Sequence, residues 1–213
     1  MGDKVKNSFV IFSGPDISDT SFLDKYDFSQ CTVLAADCGT RLLNRIGVTP
    51  DVVIGDFDSS DAPDGSTGRV IKHSVKKDDT DTMLCIKYAL DMGADDITIV
   101  SGIGGRLDHT VANIQSLYYI LKSGAKGRII SSDDEVILIS PGAYSLKKRD
   151  GFSMSLFSYS PKVFGLSIIG AEYEVRNADI DNSFPIGASN HITEKSCEIS
   201  FNSGTLLVVF SRL

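Results

Sequence analysis

The 213-residue chain is predicted to fold as an α/β N-terminal domain, a mostly parallel sheet flanked by helices, followed by an all-β C-terminal sandwich domain. Three observations predict this. Short apolar runs alternate with helical stretches up to about residue 125. From residue 126 onward the texture changes to short β-rich runs separated by turn signals. Clusters of aspartate follow or end several of the early apolar runs, where loops of an open α/β sheet converge on one crevice. The expected domains are therefore residues 1–125 and 126–213.

The early strands are predicted at 8–14, 32–37, 51–56, 69–74 and 96–102. Most are nearly continuous in Val, Ile, Leu and Ala, as expected of strands covered on both faces. Helices are predicted at 40–47, 79–93 and 107–124, each ending on a glycine suited to a C-terminal cap (Gly47, Gly93, Gly124). In the second helix Met83, Ile86 and Leu90 are at helical spacing; in the third, Val111, Ile114, Leu117 and Leu121 form the stripe. Strands alternating with helices argue for a parallel sheet. In the second half GRIISS, EVILIS, YSLKKR, FSMSLFSYS, LSIIG, CEISF and TLLVVFS read as strands, and SSDDE, SPGA, RDG, NADIDNS and NSG as turns.

Composition narrows the function. A hydrophobic fraction of 42% allows a true core. The net charge of −7 disfavours nucleic acid as the main partner. The four cysteines form no C-x-x-C pair, so neither a zinc site nor a disulfide framework is indicated. No signal peptide or membrane-length apolar run is read, and the expected location is the cytoplasm.

Six aspartates carry the chemical signal: Asp37 in AADCGT, Asp56 and Asp58 in GDFDSS, and Asp78, Asp79 and Asp81 in KKDDTD. Carboxylates meeting in one crevice repel each other unless a cation sits among them. Oxygen-only ligands favour a hard ion, and Mg²⁺ is the usual choice beside phosphates. Asp56 and Asp58 are two apart, so extended backbone points both to one side; an Asp-rich turn after a strand is the plain alternative. Asp79 or Thr80 can cap the following helix, and Asp81 suits its first turn. Lys76 and Lys77 beside this cluster suit a phosphate or balance its charge. Asp37 is either an N-cap or part of the acidic site.

SGIGGRLDH follows the fifth strand and opens the third helix. Gly102, Gly104 and Gly105 let backbone approach a phosphate, and the helix N-terminus supplies N–H donors. It is neither a dinucleotide fingerprint, since Leu107 stands where the third glycine belongs, nor a Walker A loop. Arg106 beside Asp108 suits phosphate and metal, or is a surface ion pair. FPIGASNHI, with Ser189 and Asn190, is a hairpin turn or a hydrogen-bonding site for a heterocycle.

In this order, AADCGT, PDVVIGDFDSS, KKDDTD, SGIGGRLDH with Asn113, FGLSIIGAEYEV and GASN resemble the thiamine pyrophosphokinase (thiamine diphosphokinase) family, particularly its bacterial form. The resemblance runs through most of the chain. It implies an ATP-dependent diphosphotransferase giving thiamine diphosphate and AMP, acting as a homodimer with the active site near the subunit interface. Carried over by motif, Asp56, Asp58 and Asp81 resemble the Mg²⁺ and phosphate-site residues, and Asp37 part of the same acidic site. Gly104, Gly105, Arg106, Asp108 and Asn113 resemble the ATP side; Lys77, Ser189 and Asn190 the substrate side. Two departures are visible: His191 stands where many members have an acidic residue, and the chain has no Trp to pack on thiamine.

Two rivals are weighed. Asp56-Phe57-Asp58-Ser59-Ser60 looks like the D-x-D-x-[TV] motif of haloacid-dehalogenase-type phosphatases, but that motif normally follows the first strand and two strands precede it here. A nucleotide- or thiamine-binding module without turnover is the other; the intact acidic set argues against it.

Overall fold

The computed structural model describes residues 7–14, 17–36, 39–55, 68–72 and 79–213. The chain divides into two compact units, Met1–Ser132 and Asp133–Leu213.

The first unit contains strands β1 (Ser8–Phe12), β2 (Thr32–Ala36), β3 (Val52–Gly55), β4 (Arg69–Lys72), β5 (Asp96–Val100) and β6 (Lys126–Ile130). All pair in parallel, in the order β4-β3-β2-β1-β5-β6. Its helices are α1 (Gly39–Ile46), α2 (Asp81–Asp91) and α3 (Leu107–Lys122). Two 3₁₀ turns, Ser21–Leu23 and Phe28–Gln30, lie between β1 and β2.

Burial in both strand phases explains the apolar runs. Val10, Phe12, Val33, Ala35, Val53, Val100 and Ile130 form one core with Leu42 and Leu43 of α1 and with Leu23. The alternate residues Ile11, Leu34, Ile54, Ile99 and Ile129 are also fully buried and point to the opposite face. There α2 packs on β1, β2 and β3, and α3 on β6. Each such side chain removed from water contributes about 1.5–3 kcal/mol before entropy is counted.

The helices sit differently from their predicted stripes. α2 buries Thr82, Cys85, Ile86 and Ala89, of which only Ile86 belongs to the predicted stripe. α3 buries Asn113, Ser116, Leu117 and Ile120, while Val111 is exposed. An apolar stripe missed this face because two of its members are polar and satisfied locally: Asn113 Nδ2 donates to the Gly102 carbonyl at 2.8 Å and Ser116 Oγ to the Asn113 carbonyl at 2.7 Å.

The division between units falls after Ser132 rather than after Ala125. GRIISS is expected in the β-rich half. Its residues lie in β6, which pairs in parallel with β5 from Asp96↔Lys126 to Val100↔Ile130 and so completes the first sheet.

The second unit is all β, with β7 (Asp134–Ile139), β8 (Gly142–Lys147), β9 (Phe152–Ser158), β10 (Lys162–Ile169), β11 (Val175–Asp181), β12 (Ser196–Phe201) and β13 (Leu206–Arg212). β13 pairs antiparallel with β7 and β9. The other layer runs β11-β10-β12-β8. Met154, Leu156, Val163, Leu166, Ile199, Phe201, Val208 and Phe210 meet in one core, which makes the unit a sandwich. Gly165, at φ 69, lies at a register shift in β10, after which the inward phase changes from Val163 to Leu166. NADIDNS, expected as a turn, mostly lies in β11. This polar strand pairs with β10 at the sheet edge, where one flank needs no apolar partner.

Gly39 opens α1 against the end of β1: a Cβ there would stand 2.1 Å from the Phe12 carbonyl oxygen. Gly39→Ala is expected to destabilise the protein by about 1–3 kcal/mol, read as a lowered midpoint in urea unfolding with unchanged slope.

Candidate active site

The strand order reverses between β1 and β5. The chain runs outward from β1 through β2 and β3 to β4, then returns to β5 on the other side. Ligands of open α/β sheets bind outside the carboxyl ends at such a point. Here that place is a cavity of about 430 Å³, lined by Ser13 and Gly14 after β1, Ala36 at the end of β2, Thr80–Thr82 at the start of α2, and Ser101, Gly102, Gly104, Gly105, Arg106, His109 and Asn113. The volume suits a small ligand.

Two helix N-termini meet it. Thr80 caps α2: its Oγ1 accepts from the Met83 N–H at 3.2 Å. Asp81, the first residue of α2, is thereby left to line the cavity. Asp79 is used elsewhere, accepting from Lys87 Nζ at 2.7 Å. Ser13 Oγ and Thr82 Oγ1 share a short, buried hydrogen bond that ties the end of β1 to the first turn of α2. Sequence reasoning missed both hydroxyls, and Ser101 with them. The available signal was the repeated Ser-Gly that follows the two strands flanking the reversal, Ser13-Gly14 and Ser101-Gly102.

The loop into α3 turns through Gly104 and Gly105 at φ 97 and 70, a left-handed backbone that favours glycine. Arg106 follows at the N-cap without a side-chain cap bond. Its guanidinium donates twice to Asp108, Nε to Oδ1 at 3.1 Å and Nη2 to Oδ2 at 2.6 Å. Asp108 Oδ1 also accepts from the His109 N–H at 2.9 Å. The Arg106 hydrogen bond holds the Asp108 carboxyl below the ordinary carboxylate range, and Asp108 raises Arg106 in turn. The pair is exposed, so its weight is in orientation rather than stability.

Of the predicted site residues, the cavity brings together Asp81, Gly104, Gly105, Arg106 and Asn113, with Asp108 paired to Arg106. Asp37, Asp56, Asp58 and Lys77 lie outside the described residues. β2 and β3 end at Ala36 and Gly55, immediately before the first two of them. GDFDSS therefore follows the third strand, not the first as the phosphatase reading requires. Among the described residues, no group of three or more His, Cys, Asp or Glu could hold a metal ion.

In the second unit Ser189 is exposed at φ 56, its N–H donating to Ser155 Oγ at 3.0 Å. Asn190 is buried and hydrogen-bonded through both its amide oxygen and its amide nitrogen. Its Oδ1 accepts from the Tyr173 and His191 N–H groups at 2.9 and 2.8 Å, and its Nδ2 donates to the Tyr173 carbonyl at 2.9 Å. Its side chain thus shapes the loop that carries the exposed Tyr173. His191 Nδ1 lies 3.2 Å from Glu172 Oε2.

Two predictions follow from this geometry. Asn190→Ala should cost about 1–3 kcal/mol by leaving Tyr173 and His191 backbone groups unpaired, while Ser189→Ala stays within about 0.5 kcal/mol in the same urea titration. Asp108 has a folded pKa below its unfolded one. Its pairing favours the fold above the ordinary carboxylate range and is lost as pH falls through the lowered folded value. In a carboxyl NMR titration, the Asp108 midpoint should return toward about 3.9 in Arg106→Gln; an unmoved midpoint would show that Arg106 is not the cause.

Comparison with known proteins identifies the family of both halves of the chain. Residues 23–129 match the family model described as "Thiamin pyrophosphokinase, catalytic domain", and residues 144–206 match "Thiamin pyrophosphokinase, vitamin B1 binding domain". The thiamine pyrophosphokinase of Bacillus subtilis (strain 168) is 30% identical over 186 residues, covering 84% of this chain and 86% of that protein. A crystal structure of thiamine pyrophosphokinase from Bacillus subtilis superposes with a TM-score of 0.87 at 28% identity, covering 98% of this chain and 100% of the other. A 6-hydroxymethyl-7,8-dihydropterin pyrophosphokinase of Pyrococcus furiosus is 32% identical over 106 residues, 47% of this chain and 45% of that protein. With both halves matched in order and nearly the whole length of the Bacillus relative covered, the chain belongs to the thiamin pyrophosphokinase family.

Proposed function

We propose that the protein is an ATP-dependent thiamine diphosphokinase. It transfers the terminal diphosphate of ATP to the hydroxyl of thiamine, giving thiamine diphosphate and AMP. The observation that carries this reading is the cavity at the β1/β5 reversal, where Asp81 and Arg106 stand at two helix N-termini, in a chain that matches both the catalytic and the vitamin B1 binding models. The match over 144–206 favours thiamine as the acceptor over the pterin of the archaeal relative.

In this reaction the thiamine hydroxyl oxygen attacks the β-phosphorus, the bond from that phosphorus to the bridging oxygen of the α-phosphate breaks, and AMP leaves. Catalysis of this kind rests on positioning and charge stabilisation. Arg106, held in a fixed orientation by Asp108, stabilises charge on the transferred group. The N–H groups at the start of α3 and the glycine turn before it receive phosphate oxygens. Asn113 holds the Gly102 carbonyl and so fixes the loop. Asp37 or Asp81 accepts the hydroxyl proton, and Lys77 is assigned to substrate binding.

Asp56, Asp58 and Asp81 would hold Mg²⁺. Asp81 lines the cavity, and an all-oxygen donor set fits that ion. When bound, the ion neutralises phosphate charge and polarises the phosphorus. The acidic set also draws in thiamine, which carries a fixed positive charge.

On the second unit, Ser189 is proposed to contact thiamine, with Asn190 shaping the loop. Exposed Tyr173, Phe184 and Ile186 offer apolar surface for a homodimer with the active site near the subunit interface. The proposed location is the cytoplasm; Cys31 and Cys197 form no disulfide.

The direct test is incubation with Mg-ATP and thiamine followed by chromatography. AMP and thiamine diphosphate should appear in equal amounts, and neither should form after chelation of Mg²⁺. Release of inorganic phosphate without thiamine dependence would refute the assignment. Arg106→Ala should lower kcat/KM by about 10²–10³-fold, with the variant's unfolding midpoint close to that of the parent.

A further inference from the structure

Ser101 stands at the carboxyl end of β5 and lines the cavity. It is 1% exposed, its backbone lies in the left-handed region at φ 60, and its Oγ is buried without a hydrogen-bond partner. Its peptide is wedged in place. The N–H donates to the Ile130 carbonyl at the end of β6 at 3.0 Å, and the carbonyl oxygen lies only 2.0 Å from where a Cβ on Gly14 would stand. Two features of Ser101 are therefore unfavourable in the ligand-free fold. Left-handed backbone opposes any residue with a Cβ, and a buried hydroxyl without a partner keeps its desolvation cost. Glycine at this position would remove both. Strained, unsatisfied groups that line a cavity point to a ligand as the missing partner.

We infer that Ser101 is a nucleotide-binding residue whose hydroxyl donates a hydrogen bond to an oxygen of ATP bound in the cavity. The residue begins the loop that continues through Gly102, Gly104 and Gly105 to Arg106, and Asn113 pins that loop at the Gly102 carbonyl. Ser101 thus lines the same cavity as the groups assigned to phosphate. This rests on the reading of the cavity as the ATP site.

The test compares wild type, Ser101→Gly and Ser101→Ala by calorimetric titration with ATP and with AMP, alongside the melting temperature without ligand. Ser101→Gly should melt about 2–4 °C higher than wild type and bind ATP about tenfold to a hundredfold more weakly. Ser101→Ala should weaken ATP binding comparably while gaining less stability, since it keeps the Cβ. A loss seen with both nucleotides places the contact on the AMP portion; a loss seen with ATP alone places it on the transferred diphosphate. Wild-type affinity for ATP in both variants overturns the inference while leaving the thiamine diphosphokinase reading intact. A wild-type protein that binds no ATP overturns both.

Discussion

The site depends on the pairing of β1 with β5, neighbours in the sheet whose chain connections leave in opposite directions. A helix that follows one strand covers the strands on its own side. At the reversal the carboxyl ends of two strands stay uncovered, so backbone and small side chains form the floor of a cavity. The local sequence serves that opening. Gly14 and Ser101 approach so closely that a side chain on the first is impossible. The Ser13–Thr82 bond fixes α2 over β1. The glycine turn brings Arg106 and the start of α3 to the rim.

Charge is arranged on this frame with little structural redundancy. Thr80 does the capping of α2, Asp79 is paired to Lys87, and Asp81 is the aspartate that lines the cavity. Adjacent residues of one motif thus have three separate jobs. The Arg106–Asp108 fork contributes little to stability because it is exposed, and its value is a guanidinium held in one orientation. The GASN segment divides labour similarly: Asn190 spends its amide on loop backbone, leaving the neighbouring Ser189 exposed.

Much of this was legible in the sequence, for identifiable reasons. Continuous apolar runs revealed the parallel strands because both faces are covered, and short β-rich runs with turn signals between them marked the sandwich. Arg106 and Asp108 were legible because two-residue spacing at a helix start leaves them within reach of each other. What failed depended on tertiary context. Lys126–Ile130 reads as any short strand, and only its pairing with β5 assigns it to the first unit. The buried face of α3 includes Asn113 and Ser116, whose polarity is neutralised by hydrogen bonds that no periodicity reveals. β11 is polar because it is an edge, so its composition imitates a turn. Ser101 falls inside the strand predicted at 96–102; its backbone angle and burial single it out, and neither is written in the residue type.

The central claim is that the opening between the carboxyl ends of β1 and β5 holds the triphosphate. A crystal structure with magnesium and a slowly hydrolysed ATP analogue tests it most directly. The expected result is phosphate oxygens over Ser101–Gly105 within hydrogen-bonding reach of Arg106. Nucleotide seated elsewhere, as in the separate hollow formed by Lys87, Asp95, Tyr119 and Gly124, would contradict it.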